Sequence, residues 1–202
     1  MRSRVNLEID FSRVTAFSDG VFAIAITLLV LGLQIPSGLD DLGEQLRDRS
    51  DEFFAYGLSF AVIGSLWIDH HRFFNGLRAF DGRLMVLNLV YLAFIALVPF
   101  SSSVLGSYAG ESAAVIVYAL NIVAISVAFT LMIVHAFRSD LMTEESKRAR
   151  GGELANESVV IPAVFGLSIP VALLIPQQTP YVWLLIPLLL RSLSPGTFSR
   201  AR

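Results

Sequence analysis

The sequence predicts an all-α integral membrane protein with six membrane-spanning helices. Of its 202 residues, 54% are hydrophobic and 16% are charged, whereas about a quarter of the residues in a soluble domain are charged. The charges are clustered, and long uncharged runs begin after Asp19, Glu52, Arg83, Glu111 and Glu157. Because a helix needs about 20 apolar residues to cross the hydrocarbon core of a bilayer, these runs favour membrane-spanning helices over the core of a soluble protein.

The six predicted spans follow from the apolar runs and from the breaks between them. They cover residues 11–33, 51–74, 83–105, 112–137, 158–175 and 180–193, and we assign residues 1–202 to one domain. Pro176 and Pro180 bracket the turn between predicted helices 5 and 6, because proline interrupts a helix. Predicted helix 6 is short and contains Pro187. The polar stretch from Arg138 to Glu157 is predicted to be a loop.

Positive charge is distributed unevenly between the two sides of the membrane that six spans define. One side receives 13 of the 15 Lys and Arg residues, and the other side receives only Arg47 and Arg49. Cytoplasmic loops carry an excess of these residues, so both termini are expected to be cytoplasmic in a multi-pass protein of the plasma membrane. The outer side is acidic, which is typical of a solvated loop or of a vestibule that concentrates cations.

The sequence contains no motif of an enzyme or of a cofactor site. There is no cysteine, which excludes disulfides and thiolate metal sites. There is no HExxH motif, Gly-rich phosphate loop or nucleophile elbow, and no TVGYG carbonyl filter of the ordinary potassium channels. We therefore expect neither catalysis nor a cofactor, and no nucleic-acid partner.

Polar side chains within the predicted spans are costly and therefore informative. Predicted helices 1 and 2 contain several near their cytoplasmic ends: Arg13, Ser18, Asp19, Asp69, His70, His71 and Arg72. We expect them to form a buried ionic and hydrogen-bonded latch between the two helices, or to contact a permeating ion. A metal site is not expected, because His70 and His71 are consecutive and point about 100° apart on a helix.

The first predicted helix carries the most specific motif in the chain. Its segment from Arg13 to Leu31 reads RVTAFSDGVFAIAITLLVL. This segment resembles the RxxxFSDG first-helix signature of the bacterial transmembrane-protein-175 family of potassium channels. Further matches are WIDHHRFF at residues 67–74, NLVYL at residues 88–92, and Pro99-Phe100. The resemblance is strong over roughly the first hundred residues and rests on hydropathy and helix count beyond them.

That resemblance implies a homotetramer in the lipid bilayer, in which helix 1 of each six-helix subunit lines a central pore for potassium ions. In such channels, rings of apolar side chains narrow the pore in place of a carbonyl filter. The implied constriction residues are Ile24, Leu28 and Leu31, with the Thr27 hydroxyl beside them. The implied supporting polar network comprises Arg13, Ser18, Asp19, His70 and His71, and either histidine could contact helix 1. Gly32 departs from the family pattern, because relatives often carry an acidic residue there.

The periodicity of predicted helix 1 agrees with a pore-lining stripe. At about 100° per residue, Ile24, Thr27, Leu28 and Leu31 fall within about 100° of one another. Asp19 projects about 140° away from Ile24, so it can face neighbouring helices while the stripe faces the pore axis. An apolar stripe of this kind also suits ordinary packing between helices.

Three other functions are compatible with parts of the sequence. Asp19, His70 and His71 could form a proton-leak or proton-coupled pathway, since intramembrane acids and histidines serve in proton relays. A secondary transporter would show broken helices at matching positions in two halves, and the sequence has no such pairing. A membrane scaffold could pack through small residues such as those of the segment 106–110.

Overall fold

The computed structural model describes residues 11–33, 42–153 and 157–183. The described ranges contain nine α-helices and one 3-10 helix. The α-helices are α1 (Phe11–Leu28), α2 (Leu42–Asp48), α3 (Ser50–Asn75), α4 (Gly82–Ala96), α5 (Val98–Ser107), α6 (Ser112–Arg138), α7 (Glu144–Glu153), α8 (Glu157–Ala172) and α9 (Thr179–Val182). The 3-10 helix covers Leu29–Gly32 and continues directly from α1.

Among the described residues, three segments are long and apolar enough to cross a membrane, as judged by length and composition. They are Phe11–Gly32, Gly82–Ser107 and Ser112–Arg138, which correspond to predicted helices 1, 3 and 4. The helix α3 corresponds to predicted helix 2 and has 26 residues. It is not among the three segments, and its apolar middle is bounded by Asp51 and Glu52 at one end and by Asp69 to Arg72 at the other. The all-helical fold that the sequence predicts is therefore confirmed within the described residues.

Predicted helix 3 is divided into two helices in the structure. The helix α4 ends at Ala96, and α5 begins at Val98 with Pro99 in its first turn. Proline has no amide hydrogen and its ring clashes with the preceding turn, so it is tolerated at the start of a helix but not in the interior. The two helices still form one apolar segment of 26 residues.

The polar stretch from Arg138 to Glu157 is not a simple loop, so this prediction was wrong. It contains α7, whose first turn carries Glu144 and Glu145. Acidic side chains stabilise the first turn of a helix through its dipole, and this polar sequence offered no apolar periodicity to indicate a helix. Predicted helix 5 corresponds to α8, which ends at Ala172. Of predicted helix 6, residues 184–193 lie outside the described residues.

The core of the bundle forms mainly around α6. This helix packs against α4, α5 and α8, while α1 packs against α3 and α4. Tyr118, Ile122, Ile125 and Met132 of α6 are fully buried. The ring of Trp183, just after α9, lies 5.3 Å from that of Tyr118. The bundle therefore buries one face of α1 and leaves the opposite face open.

Candidate pore-lining site

The helix α1 presents two different faces. Its buried side chains are Val14, Ser18, Phe22 and Ala25, which recur at helical spacing and pack against α3 and α4. The three predicted constriction residues lie on a neighbouring face and are exposed: Ile24 by 60%, Leu28 by 42% and Leu31 by 63%. Apolar side chains exposed at this density are typical of a surface that contacts lipid or another protein chain. Much of the stripe is thus left uncovered by its own subunit.

The end of the stripe that contains Leu31 lies in the 3-10 helix. A 3-10 helix has three residues per turn, so side chains at positions i and i+3 eclipse each other. This geometry places Leu31 above Leu28 rather than rotated away from it. The Thr27 hydroxyl lies beside the stripe, is exposed, and donates to the Ile24 carbonyl oxygen at 2.9 Å.

A buried hydrogen-bonded chain joins α1 to α4 and α3. The Ser18 hydroxyl donates to the Val14 carbonyl oxygen at 2.9 Å, and Ser18 Oγ accepts from Asn88 Nδ2 at 3.0 Å. The Oδ1 of Asn88 lies 2.9 Å from His70 Nε2. All three side chains are buried. Of the two candidate histidines, His70 therefore contacts the helix 1 network through Asn88, whereas His71 is exposed.

The geometry of this chain determines the direction of each hydrogen bond. The single Ser18 hydroxyl hydrogen is used on Val14, so Ser18 Oγ must accept from the Asn88 amide group. The carbonyl oxygen of Asn88 consequently faces His70, and His70 Nε2 must donate to it. Each of these three hydrogen bonds thus joins one donor to one acceptor, as stable buried networks require.

The imidazole of His70 is enclosed by aromatic rings. Its ring centroid lies 4.2 Å from that of Phe74, 5.4 Å from that of Phe22 and 5.6 Å from that of Tyr91. Phe22 comes from α1, Phe74 from α3 and Tyr91 from α4, so three helices meet around one side chain. This packing holds His70 in one orientation and makes it a structural link between the helices.

Asp19 belongs to a separate contact. Its Oδ1 accepts from Trp67 Nε1 at 2.9 Å, and the side chain is half-buried. Arg13 is exposed and takes no part in the buried contacts among the described residues. Arg72 lies 4.0 Å from Asp69 on the exposed side of α3. Among the described residues, hydrogen bonds therefore join α1 to α3 and α4 at this site, and the ionic part of the predicted latch stays a prediction.

Asn88 and Trp67 complete the site, although the sequence analysis did not assign them to it. Asn88 is the one amide side chain in the apolar run of α4. A polar group buried in such a run needs hydrogen-bond partners, and this was the available signal. The indole of Trp67 provides a single donor, but its partner could be found only once α1 and α3 were placed side by side.

A second polar cluster lies toward the other end of α3. The Ser59 hydroxyl donates to Ser102 Oγ at 2.8 Å and lies 3.1 Å from the Tyr118 hydroxyl. Ser102 in turn donates to the Ala55 carbonyl oxygen at 3.2 Å. The cluster borders a small crevice beside the 3-10 helix, which Ser102 and Gly32 both line. Within the described residues, no group of His, Asp or Glu side chains could hold a metal ion.

Together, the helical bundle and its long apolar segments define an all-helical membrane protein. More particularly, the chain belongs to the TMEM175 family. The family model described as "Endosomal/lysosomal potassium channel TMEM175" matches residues 13–99, the part of the chain that holds the stripe and the polar chain. The predicted resemblance to this family is thereby confirmed.

Individual relatives agree with this assignment. A potassium channel of Streptomyces collinus is 41% identical over 133 residues, which cover 63% of this chain and 65% of that protein. A potassium channel of Chamaesiphon minutus is 35% identical over 144 residues, covering 67% of this chain and 71% of that protein. The crystal structure of a lysosomal potassium-selective TMEM175 homologue from Chamaesiphon minutus superposes with a TM-score of 0.76 at 25% identity. That superposition covers 94% of this chain and 98% of the other.

Proposed function

We propose that the protein is a potassium-conducting channel in which α1 lines the pore and Ile24, Leu28 and Leu31 form an apolar constriction. The observation that carries this proposal is the exposure of all three side chains on the one face of α1 that its own subunit leaves uncovered. Membership of a potassium-channel family supports the same conclusion. Neither catalysis nor a cofactor is part of the proposal, and potassium is the permeant ion.

A single subunit cannot enclose a pore, because its α1 helix offers only one wall. We therefore propose a homotetramer in which four copies of the stripe face a common axis, each subunit being one six-span domain. The six spans are α1, α3, the α4–α5 segment, α6, α8, and a last span that begins near α9. The 13-to-2 distribution of Lys and Arg supports cytoplasmic termini in a plasma membrane.

The mechanism follows from the solvation of ions in a narrow apolar ring. Such a ring disfavours a continuous water column and can close the pore by dewetting. When the ring widens slightly, a potassium ion sheds part of its hydration shell more easily than a sodium ion does. The preference for potassium is expected to be modest, because hydrocarbon walls cannot replace the lost water ligands. The oxygen of Thr27 offers one polar contact beside the ring.

The polar chain behind the stripe supports this role. Ser18 lies about 120° around α1 from Ile24 at 100° per residue, so the network and the stripe occupy different faces. The hydrogen bonds that run from Ser18 through Asn88 to His70 fix the rotation of α1 about its own axis. That rotation decides which side chains reach the pore axis. Ser18 and His70 are therefore proposed as positioning residues, with Asp19 acting through Trp67.

A proton pathway through Asp19, His70 and His71 is the alternative. The three side chains do not form a continuous chain among the described residues, since Asp19 binds Trp67 and His71 is exposed. His70 Nε2 donates to an amide oxygen, which does not exchange protons in the way a carboxylate or water does. These contacts favour the potassium pathway.

The test is ion flux through purified protein in liposomes, measured together with the bi-ionic reversal potential for potassium and sodium. Ile24→Asn adds four amide groups to one ring of the tetramer and is expected to wet it. Flux should rise and the preference for potassium should fall. Leu120→Asn is the matched control, because Leu120 is also an exposed apolar side chain but lies on α6. If tetrameric Ile24→Asn behaves like the wild type in both measurements, Ile24 does not line the constriction.

A further inference from the structure

The short connection between α3 and α4, residues 76–81, touches two parts of the molecule that are otherwise apart. On one side it pairs with the connection between α6 and α7. The Arg78 amide donates to the Leu141 carbonyl oxygen at 2.8 Å, and the Thr143 amide donates to the Gly76 carbonyl oxygen at 3.0 Å. Leu77 and Met142 form an antiparallel bridge between these hydrogen bonds. The two connections are thus joined by backbone contacts as well as by side chains.

Side chains reinforce this junction. The Arg78 guanidinium donates to the Asp140 carbonyl oxygen at 2.9 Å and pairs with the Asp140 carboxylate. Lys147, in the first turns of α7, also pairs with Asp140. The start of α7 lies so close that a Cβ atom added to Gly76 would stand 2.6 Å from Ser146 Oγ. The α6–α7 connection and the start of α7 therefore move with residues 76–81.

The last residue of the connection makes a contact with a histidine. Asp81 caps α4 by accepting from the Leu84 amide at 2.7 Å, and its carboxylate lies 2.9 Å from His135 Nε2 near the end of α6. Partial burial acts to raise the pKa of Asp81, but hydrogen bonds from Leu84 and His135 outweigh it and leave that pKa lowered. Asp81 is therefore ionised at neutral pH, and a proton added to His135 would turn the contact into an ion pair.

On its other side the same connection touches the beginning of the proposed pore helix. The ring of Phe80 lies 6.0 Å from that of Phe11, the first residue of α1, and 5.9 Å from that of Phe74. Phe11 and Phe74 are themselves 5.7 Å apart. Phe80 and Asp81 are neighbours in sequence, so the residue that contacts His135 is joined directly to the residue whose ring packs against Phe11.

We propose that residues 76–81 couple the protonation of His135 to the position of the inner end of α1, so that pH on the predicted cytoplasmic side changes potassium conductance. The inference rests on the proposed function, since it takes α1 as the pore helix. Histidine is the side chain whose charge ordinarily changes between pH 5 and 8. Asp81 is the charged group in direct contact with His135. The other charged groups on the segments that meet there are Arg83 in α4, Arg138 in α6, and Arg78, Asp140 and Lys147 in the junction.

The experiment measures potassium flux through the full-length protein in liposomes at equal inner and outer pH, from pH 8 to pH 6. The wild type should change its flux by at least about fivefold, the lower end of ordinary coupling between sites. His135→Gln should abolish most of this change. Asp81→Asn should do the same while keeping α4 capped, because asparagine caps as well as aspartate does. Arg138→Gln is the matched control on the same helix and should retain the full response.

The aromatic part of the coupling has its own pair of variants. Phe80→Leu leaves the Asp81–His135 contact in place but weakens the link to Phe11, so the pH response of the flux should shrink. Phe137→Leu is the control, because Phe137 is an exposed ring on α6, and it should respond like the wild type. Retention of the full pH response by both His135→Gln and Phe80→Leu would overturn the inference.

A second readout separates this inference from the proposed function. The chain has no cysteine, so Ala16→Cys introduces a single labelling site on the exposed face of α1. A spin label at this site should change its mobility between pH 8 and pH 6, and the change should vanish in the Asp81→Asn background. If the spin label responds to pH as expected but no potassium flux is measured, the proposed function is refuted and the coupling is not. If potassium flux is normal but neither the flux nor the spin-label mobility changes with pH, the coupling is refuted and the proposed function is not.

Discussion

His70 Nε2 lies 2.9 Å from Asn88 Oδ1 inside the bundle, whereas the next side chain along the helix, His71, is exposed. One donor of His70 satisfies the one free acceptor of Asn88, and Asn88 in turn supplies the donor that Ser18 needs. The three residues therefore act as a unit across α1, α3 and α4. The two consecutive histidines thus have different roles, so the same substitution at His70 and at His71 should have different effects on stability.

The first prediction uses these two histidines as a matched pair. His70→Leu leaves the Asn88 oxygen buried without a partner, and an unsatisfied buried group costs about 1–3 kcal/mol. We expect a lower midpoint of thermal unfolding in detergent and a smaller yield of intact oligomer in size-exclusion chromatography. His71→Leu removes an exposed imidazole and should leave both measurements near those of the wild type. Equal destabilisation by the two substitutions would contradict the assignment of His70 to the network.

The second prediction concerns Asp19 and Trp67. A hydrogen bond to a charged group is worth about 1.5–3 kcal/mol, which is less than the roughly 3–5 kcal/mol lost when a buried ion pair is broken. Asp19→Asn and Trp67→Phe each disturb the same bond. In a double-mutant cycle of unfolding free energies, the two effects should therefore be strongly non-additive. Additive effects would mean that the indole–carboxylate contact contributes nothing.

The third prediction compares two neighbouring faces of α1. Leu28→Ala widens the proposed constriction without adding polar groups, so flux should rise less than in Ile24→Asn. Ala25→Asn lies about 100° from Ile24, and Ala25 is fully buried. Overpacking of a core site costs about 1–3 kcal/mol, so this variant should lose stability without gaining flux. The measurements are flux in liposomes and thermal unfolding. A rise in flux in Ala25→Asn would show that the two faces are misassigned.

The fourth prediction concerns topology. With six spans and 13 of 15 basic residues on one side, tags at both termini should be labelled only after the cytoplasmic side becomes accessible. A tag placed in the segment 36–49 should be labelled from outside in intact cells. Labelling of the two termini from opposite sides would rule out an even number of spans.

The helical class and the face of α1 that stays open were predictable from the sequence. Apolar runs of membrane length fix the positions of α1, α4 and α6 within a few residues, because hydrocarbon requires every backbone group to bond within its own helix. The break before Pro99 and the helix α7 were not predicted. Proline at that position is compatible with either a kinked helix or two helices, and α7 forms in a polar stretch with no apolar periodicity.

The partners of the polar side chains could not be predicted from the sequence alone. Residue types identified Ser18, Asp19 and His70 as buried or functional, since polar groups in a span need an explanation. Only the packing of α3 and α4 against α1 decided that Ser18 binds Asn88 and that Asp19 binds Trp67. The same packing leaves the Arg13 side chain exposed and outside this hydrogen-bonded network. Periodicity depends on neighbours along one helix, whereas each of these hydrogen bonds depends on the rotation and depth of two helices at once. Those relative positions exist only in the tertiary structure.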